Sequence, residues 1–464
     1  MNQKKESIIL LLSLLITTTV IGIGAWWLIG ARSISPSDDD RSQNVSTNNL
    51  DSQPSTGEKI LFQFDSTPEK QAAAQAIANK NYLEAESILE QSLKQQRNDP
   101  EALIYLNNAR IGDDKANTIA VSVPVGTELT TAKEILRGVA QAQDEINQQG
   151  GINNVPLKVV IVNDDNDPQV AEQVAQNLAQ EKNILGVIGH FSSGVTLATA
   201  PIYEQNKLVA ISPTSTSVEL SKAGEYIFRT VPSDRFTSNA LSKYFIEQLN
   251  LSKAAVIYNS QSAYSRSLQE TFTTDIVSNG GEIAIEIDLA DSNFNPAQAL
   301  KNAAAEGAEA IVFLNNSTTL DQAYLLMQLN QRNLPMLGGD SLYKPQTLEI
   351  GGEQAVGLVV GVPWHTSGSA NAQFPQAARS IWGGDVNWRT AMAYDATKAL
   401  AAGLAIDASR QGIQQALSQS GFNVEGASGK IKFLPSGDRN AAVQLVKVQP
   451  GNNSSYGYDF VLLE

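Results

Sequence analysis

Cysteine is absent from the 464-residue chain. Disulfides, thiol catalysis, iron–sulfur clusters, Cys-ligated zinc and a lipidated cysteine are therefore excluded. Histidine is scarce, with only His190 and His365. No G-x-S-x-G nucleophile elbow, Walker motif or G-x-G-x-x-G fingerprint after the first strand is present. The run Asp164-Asp165-Asn166-Asp167 lacks the Gly and distal Glu of a calcium loop, so it reads as a polar loop at a strand end. Basic residues are in deficit, 33 against 48 acidic, for a formal charge of −15. A nucleic-acid partner is excluded on that ground, because phosphate backbones need clustered Lys and Arg. The sequence thus carries no catalytic residue, metal site or cofactor site, and it reads as a binding protein and not an enzyme.

One long apolar run is present. Ile8 to Gly30 carries no charge and ends beside Trp26-Trp27. About 20 apolar residues span a bilayer, whereas a secretory signal has a shorter core and a small-x-small cleavage site. Lys4 and Lys5 precede the run, which places the N-terminus in the cytoplasm and the remaining chain outside it. Residues 1–30 are thus expected to be a cytoplasmic stub and single-pass membrane anchor. The alternative is a long signal cut near Gly30-Ala31. Residues 31–66 are polar and poor in apolar side chains, which predicts a disordered linker.

Residues 67–112 turn helical. Ala73 and Ile77, then Tyr82, Ala85, Ile88, Leu89 and Leu93, recur at helical spacing, and Asp99-Pro100 opens a further helix. The segment NYLEAESILEQSLKQQRNDPEALIYLNNAR resembles a tetratricopeptide repeat. Stable solenoids need about three repeats. A plain helical hairpin packed on the main domain and a module docking a protein partner both fit.

From Thr118 onward, strands and helices alternate. Strands are expected at Thr118–Val123, Leu157–Val162 and Ile184–Gly189, with helices at Ala132–Gln149 and Pro168–Lys182. The alternation restarts after Phe236, with strands at Ala254–Tyr258, Ile283–Ile287, Ala310–Leu314 and from Met336. The fold class is α/β, with two doubly wound parallel-sheet lobes enclosing a cleft.

The segment Ile184 to Thr216 is the most informative. Two short apolar runs, Leu185–Gly189 and Leu208–Ser212, read as buried parallel strands, each followed by small hydroxyl residues. Ligands in such sheets sit at the carboxyl ends of strands, where helix N-termini offer free N–H groups. Ser192, Ser193, Thr214, Ser215 and Thr216 gather there, as neutral donors suited to a small carboxylate. The plain alternative is that they cap helices and make turns.

VIGHFSSGVTLATAPIYE, VAISPTST and YIFRTVPSD resemble the type I periplasmic solute-binding proteins, in the branch that binds leucine, isoleucine and valine for ABC importers. RGVAQAQDEINQQGGINNVPLKVVIVNDDNDPQVA before them, and LGGDSLY and TAMAYDATKALAAGL after them, match in the family's order. The resemblance runs from about Asn117 to the C-terminus. It implies three crossings between lobes, near Pro232-Ser233-Asp234, Val362-Pro363-Trp364 and Gly429 to Leu434. Lobe one would then hold 117–232 and 364–428, and lobe two 233–363 and 429–464.

The resemblance also implies site roles. Ser193, Thr214 and Thr216, with Ser192 beside them, would hold an amino-acid carboxylate, Asp340 would meet the ammonium, and Tyr264 would cover the ligand on closure. Thr131 and Thr318 stand where the family often has aromatics, which points to a small polar or amide-bearing amino acid instead of leucine. Trp364 would either supply an aromatic wall or pack the hinge. His190 is expected to be a buried, hydrogen-bonded residue. The implied function is capture of an amino acid or similar small solute for an ABC permease, outside the cytoplasm. The alternative is a tethered sensor of the same fold that reports ligand to a signalling partner.

Overall fold

The computed structural model describes residues 53–463. The expected anchor at residues 8–30, and the linker up to residue 52, lie outside the described residues. Among the described residues no helix is long and apolar enough to cross a membrane.

Three helices come first, at Pro68–Ala78, Tyr82–Gln95 and Pro100–Ile111. Thr67 and Asp99 cap the first and third, each followed by a Pro that gives up an N–H the helix would not have used. The third is buried at every position except Arg110. Lys70 is buried between Asp99 at 2.8 Å and Glu101 at 2.7 Å, so its charge is doubly matched.

The linker expected through residue 66 ends earlier. Ser55 exchanges two backbone hydrogen bonds with Ile161, both at 2.9 Å. Ile60, Leu61 and Phe62 are buried, and the Glu101 carboxylate accepts the Leu61 N–H at 2.7 Å. That short apolar triplet overrides the polar composition around it. Asn108, on the third helix, donates to the Val159 carbonyl at 2.7 Å and accepts its N–H at 3.1 Å. Ser55 and Asn108 therefore cover the outer edge of the first sheet, which would otherwise present unpaired backbone groups.

That sheet is built from β1 (Asn117–Val123), β2 (Leu157–Asn163), β3 (Ile184–Ile188), β4 (Val209–Ser212) and β5 (Ile227–Arg229), in the order β2-β1-β3-β4-β5. All its pairings are parallel, and its central strands are apolar on both faces, as helices on both sides require. The second sheet contains β6 (Lys253–Tyr258), β7 (Glu282–Asp288), β8 (Ala310–Phe313), β9 (Met336–Gly338) and β10 (Val359–Val362). A hairpin, β11 (Val424–Gly426) and β12 (Gly429–Ile431), stands apart from both sheets. Two late strands, β13 (Gln444–Pro450) and β14 (Tyr458–Leu462), extend the second sheet to the order β14-β13-β10-β9-β8-β6-β7. β13 joins β10 antiparallel.

The chain leaves the first sheet after β5 and enters the second at β6. It returns after β10, sending the long helix Trp388–Ile406 against the helix Leu129–Gln148 of lobe one. The last crossing falls after Arg439, later than the expected Gly429–Leu434. The β11–β12 hairpin packs on the Trp388–Ile406 helix, so 429–431 stay with lobe one. Two buried ion pairs fix this region: Arg229 with Asp438 at 2.6 Å and Arg439 with Asp395 at 3.3 Å.

Candidate functional site

A cavity of about 310 Å³ lies between the lobes, near the lower end of the ~300–1,000 Å³ usual for small-molecule pockets. The lobe-one wall is the turn after β3 and the loop after β4. Ser193 opens the helix Ser193–Gln205 with Ser192 at its cap position. The first-turn N–H groups of a helix have no partner within it, and they carry the positive end of its dipole. Gly194 faces open space, since an added Cβ would meet nothing within 4 Å. The loop is held from below. Thr214 Oγ1 donates to the Phe191 carbonyl at 2.7 Å, Ser212 Oγ donates to the His190 carbonyl at 2.8 Å, and Ser193 Oγ accepts the Ser217 N–H at 3.2 Å.

Beneath this loop His190 is fully buried. Its Nδ1 lies 2.6 Å from Asp164 and its Nε2 lies 2.8 Å from the Tyr203 hydroxyl. Burial works against the Asp164 charge, yet the bonds from His190, the Asn166 N–H and Ser122 hold its carboxyl below the usual range. His190 does not line the cavity.

The lobe-two wall carries the charge. Asp340 follows β9 and is buried, and its Oδ1 accepts the Tyr264 hydroxyl at 2.7 Å. Burial pushes the Asp340 carboxyl above its usual range, with Arg389 and the Tyr264 hydroxyl pulling the other way. Burial and Asp340 together raise Tyr264 well above a free phenol. A bound cation beside Asp340 would relieve the cost of its burial.

Of the residues picked from sequence, Ser192, Ser193, Thr214, Tyr264, Thr318 and Asp340 line this one cavity. Thr131 and Thr216 do not. Thr131 falls in the first turn of the helix Leu129–Gln148, buried, with its hydroxyl 3.4 Å from Glu128. Thr216 is buried on the far side of its loop, where its carbonyl accepts the Asp234 N–H at 2.9 Å. Trp364 packs edge-on against Phe374 in the hinge, and Trp388 supplies the aromatic wall instead.

Three residues passed over in the sequence complete the site. Lys344 and Arg389 line the cavity, and Glu128 of lobe one meets Lys344 of lobe two at 3.0 Å. Burial and the neighbouring Arg389 lower the Lys344 ammonium, against the pull of Glu128. Burial tends to raise Glu128, but Lys344 and Ser317 outweigh it and hold the carboxyl low. Arg389 reaches across from lobe one to the carbonyls of Tyr343 at 3.2 Å and Asp340 at 3.3 Å. These bonds bridge the two lobes. The available signal was a charged side chain, Arg389, in the first turn of a helix buried at most of its positions.

The periplasmic binding protein family matches residues 118–453. An amino acid binding protein of Pseudomonas aeruginosa is 28% identical over 199 residues, 42% of this chain and 52% of that protein. A Leu/Ile/Val-binding protein homolog 1 of Brucella abortus is 31% identical over 143 residues, 30% of this chain and 38% of that protein. The chain thus spans about half or less of these relatives' length. An ABC transporter substrate-binding protein from Desulfitobacterium hafniense, solved in complex with Leu, has the same fold. Its TM-score is 0.64 at 24% identity, covering 75% of this chain and 100% of that one. Two lobes around a cleft, and a family match across both, lead to one conclusion: this chain belongs to the periplasmic binding protein family.

Proposed function

We propose that the protein captures an amino acid, or a closely related small polar solute, by cleft closure and delivers it to an ABC permease. The observation that carries this reading is the facing of two complementary groups across one cavity. The Ser193 helix N-terminus offers neutral N–H and hydroxyl donors to a carboxylate. Asp340, buried opposite, offers an anion to an ammonium. The cavity volume suits one amino acid. The relatives described as binding amino acids support the same class of ligand.

In this reading Ser192, Ser193 and Thr214 hold the carboxylate, while Tyr264 and Asp340 close from lobe two. The uncharged stretch Ile8 to Gly30 tethers the binding domain to the outer face of the membrane. Native mass spectrometry of the freshly purified protein, followed by calorimetric titration with free amino acids, tests the ligand class. Micromolar or tighter binding of any one of them supports it, and binding of none overturns it. N-terminal sequencing tests the tether: a chain beginning after Gly30 would be released and not anchored.

A further inference from the structure

Among the described residues three arginines are buried. Arg229, 2% exposed, pairs with Asp438, and Arg439, 2% exposed, pairs with Asp395. Arg389, 3% exposed, has no such partner: no carboxylate oxygen of the described residues comes within 4.0 Å of it. Two of its nitrogens give long bonds to backbone carbonyls, its Nε has no acceptor among the described residues, and its guanidinium lies over the Trp388 ring at 4.3 Å. Asp340, Glu134 and Glu128 act on it only at longer range. Buried charges are ordinarily matched, so an unmatched one beside a cavity calls for a counter-charge from the ligand.

Lys344 adds a second cation to the same cavity. It gives one hydrogen bond, to Glu128, although an ammonium has three donors. Of the charged side chains lining the cavity, Lys344 is already paired with Glu128, which leaves Arg389 and Asp340 with no side-chain ion pair between them. A zwitterionic amino acid sets its ammonium against Asp340 and brings no second anion to Arg389. Once its ammonium engages Asp340, Arg389 would lose its nearest balancing charge. An amino acid with a second carboxylate would match Arg389 and give both cations an acceptor. Asn259, Gln261, Asn316 and Thr318 of the lobe-two wall add amides and a hydroxyl, which suit a polar side chain better than leucine.

We propose that the ligand is an α-amino dicarboxylate, with Lys344 and Arg389 as the residues that select its side-chain carboxylate. This deepens the amino-acid reading above and rests on it. The test is calorimetric titration of the full-length, detergent-solubilised protein with L-aspartate, L-glutamate, L-glutamine and L-leucine. One of the two dicarboxylates is expected to bind at least tenfold tighter than both leucine and glutamine. Lys344→Met should reduce the preference for glutamate over glutamine at least tenfold, and Lys344→Arg should restore it. The wild-type ligand order decides the matter even where Lys344→Met fails to fold. Leucine or glutamine binding as tightly as the dicarboxylates would overturn this inference while leaving the amino-acid reading standing. Binding of no amino acid would overturn both.

Discussion

The two walls of the cleft face the same cavity with different chemistry. On lobe one, Ser193 and Thr214 are neutral, and the hydrogen bonds that fix them come from their own lobe. On lobe two, Asp340 and Lys344 are charged, and the opposite charges that act on them, Arg389 at longer range and Glu128 in direct contact, belong to lobe one. The first wall is a fixed mould, complete in either lobe arrangement. The second is assembled only when the lobes meet. Selectivity that depends on closure should therefore reside in the charged wall, while the neutral wall supplies an anchor common to many ligands.

The strongest way to break this contrast is Asp340→Ala. Removing one partner of a desolvated, charge-assisted contact costs about 2–5 kcal/mol, roughly thirtyfold to several-thousandfold in affinity. Folding should suffer little, because burial already disfavours the Asp340 charge. Titration calorimetry and a melting curve separate the two effects. Unchanged affinity would remove the ammonium from the site and point to a ligand without one.

Asp234 tests the seam itself. It is buried where the chain first crosses, its N–H bonded to Thr216 of lobe one and its Oδ2 accepting from Ser267 of lobe two at 2.6 Å. Burial pushes its carboxyl up to about 7, with Asp340 adding to the rise and Ser267 and Arg229 opposing it. The folded protein then holds this proton more tightly than the unfolded chain. That contribution to stability is complete below about pH 4 and is lost as pH rises through about 7. Asp234→Asn keeps the seam neutral at every pH. Relative to wild type it should gain stability across that window, by on the order of 3 kcal/mol at the upper end. Parallel melting curves from pH 4 to 8 would contradict the argument.

The neutral wall was legible in the sequence because it is local. Apolar runs of strand length ending in Gly-His-Phe-Ser-Ser and Ser-Pro-Thr-Ser-Thr announce strand ends, and the resemblance, more than the hydroxyl residues that also make turns and caps there, pointed to a ligand. The charged wall was only half legible. Asp340 lies at a strand end and could be placed by resemblance. Arg389 could not, because it reaches the site from a helix that returns to lobe one through the second crossing. Thr131 failed for a related reason: the helix begins at Leu129, which turns its hydroxyl toward Glu128. The sheet-edge cover by Ser55 and Asn108 was hidden in the same way, since hydrogen bonds between distant residues leave no periodic trace.

Glu128→Gln sharpens the contrast from the other side. It removes the lobe-one half of the 3.0 Å bridge to Lys344 while keeping the side chain's size. Both partners are largely buried, with side chains 10% and 16% exposed, so the closed state should weaken by about 1–2 kcal/mol. Affinity for every ligand should fall about tenfold, with little change in ligand order. A change in order without a loss of affinity would mean that Glu128 contacts the ligand and does not serve as a latch.

Ser193→Ala should be mildest. The hydroxyl is one donor among several: the backbone N–H groups of Ser193, Gly194 and Val195 remain at the first turn of their helix. Deleting one hydroxyl bond to the carboxylate costs about 1 kcal/mol, roughly fivefold in affinity. The same hydroxyl accepts the Ser217 N–H within lobe one, so its loss leaves a buried donor unmatched and should lower the melting temperature slightly with or without ligand. Because this wall is complete before closure, the affinity loss should be equal for leucine, glutamine and glutamate. A loss that differs tenfold between these ligands would mean that the Ser193 turn reads the side chain, and the division of labour between the neutral and charged groups would fail.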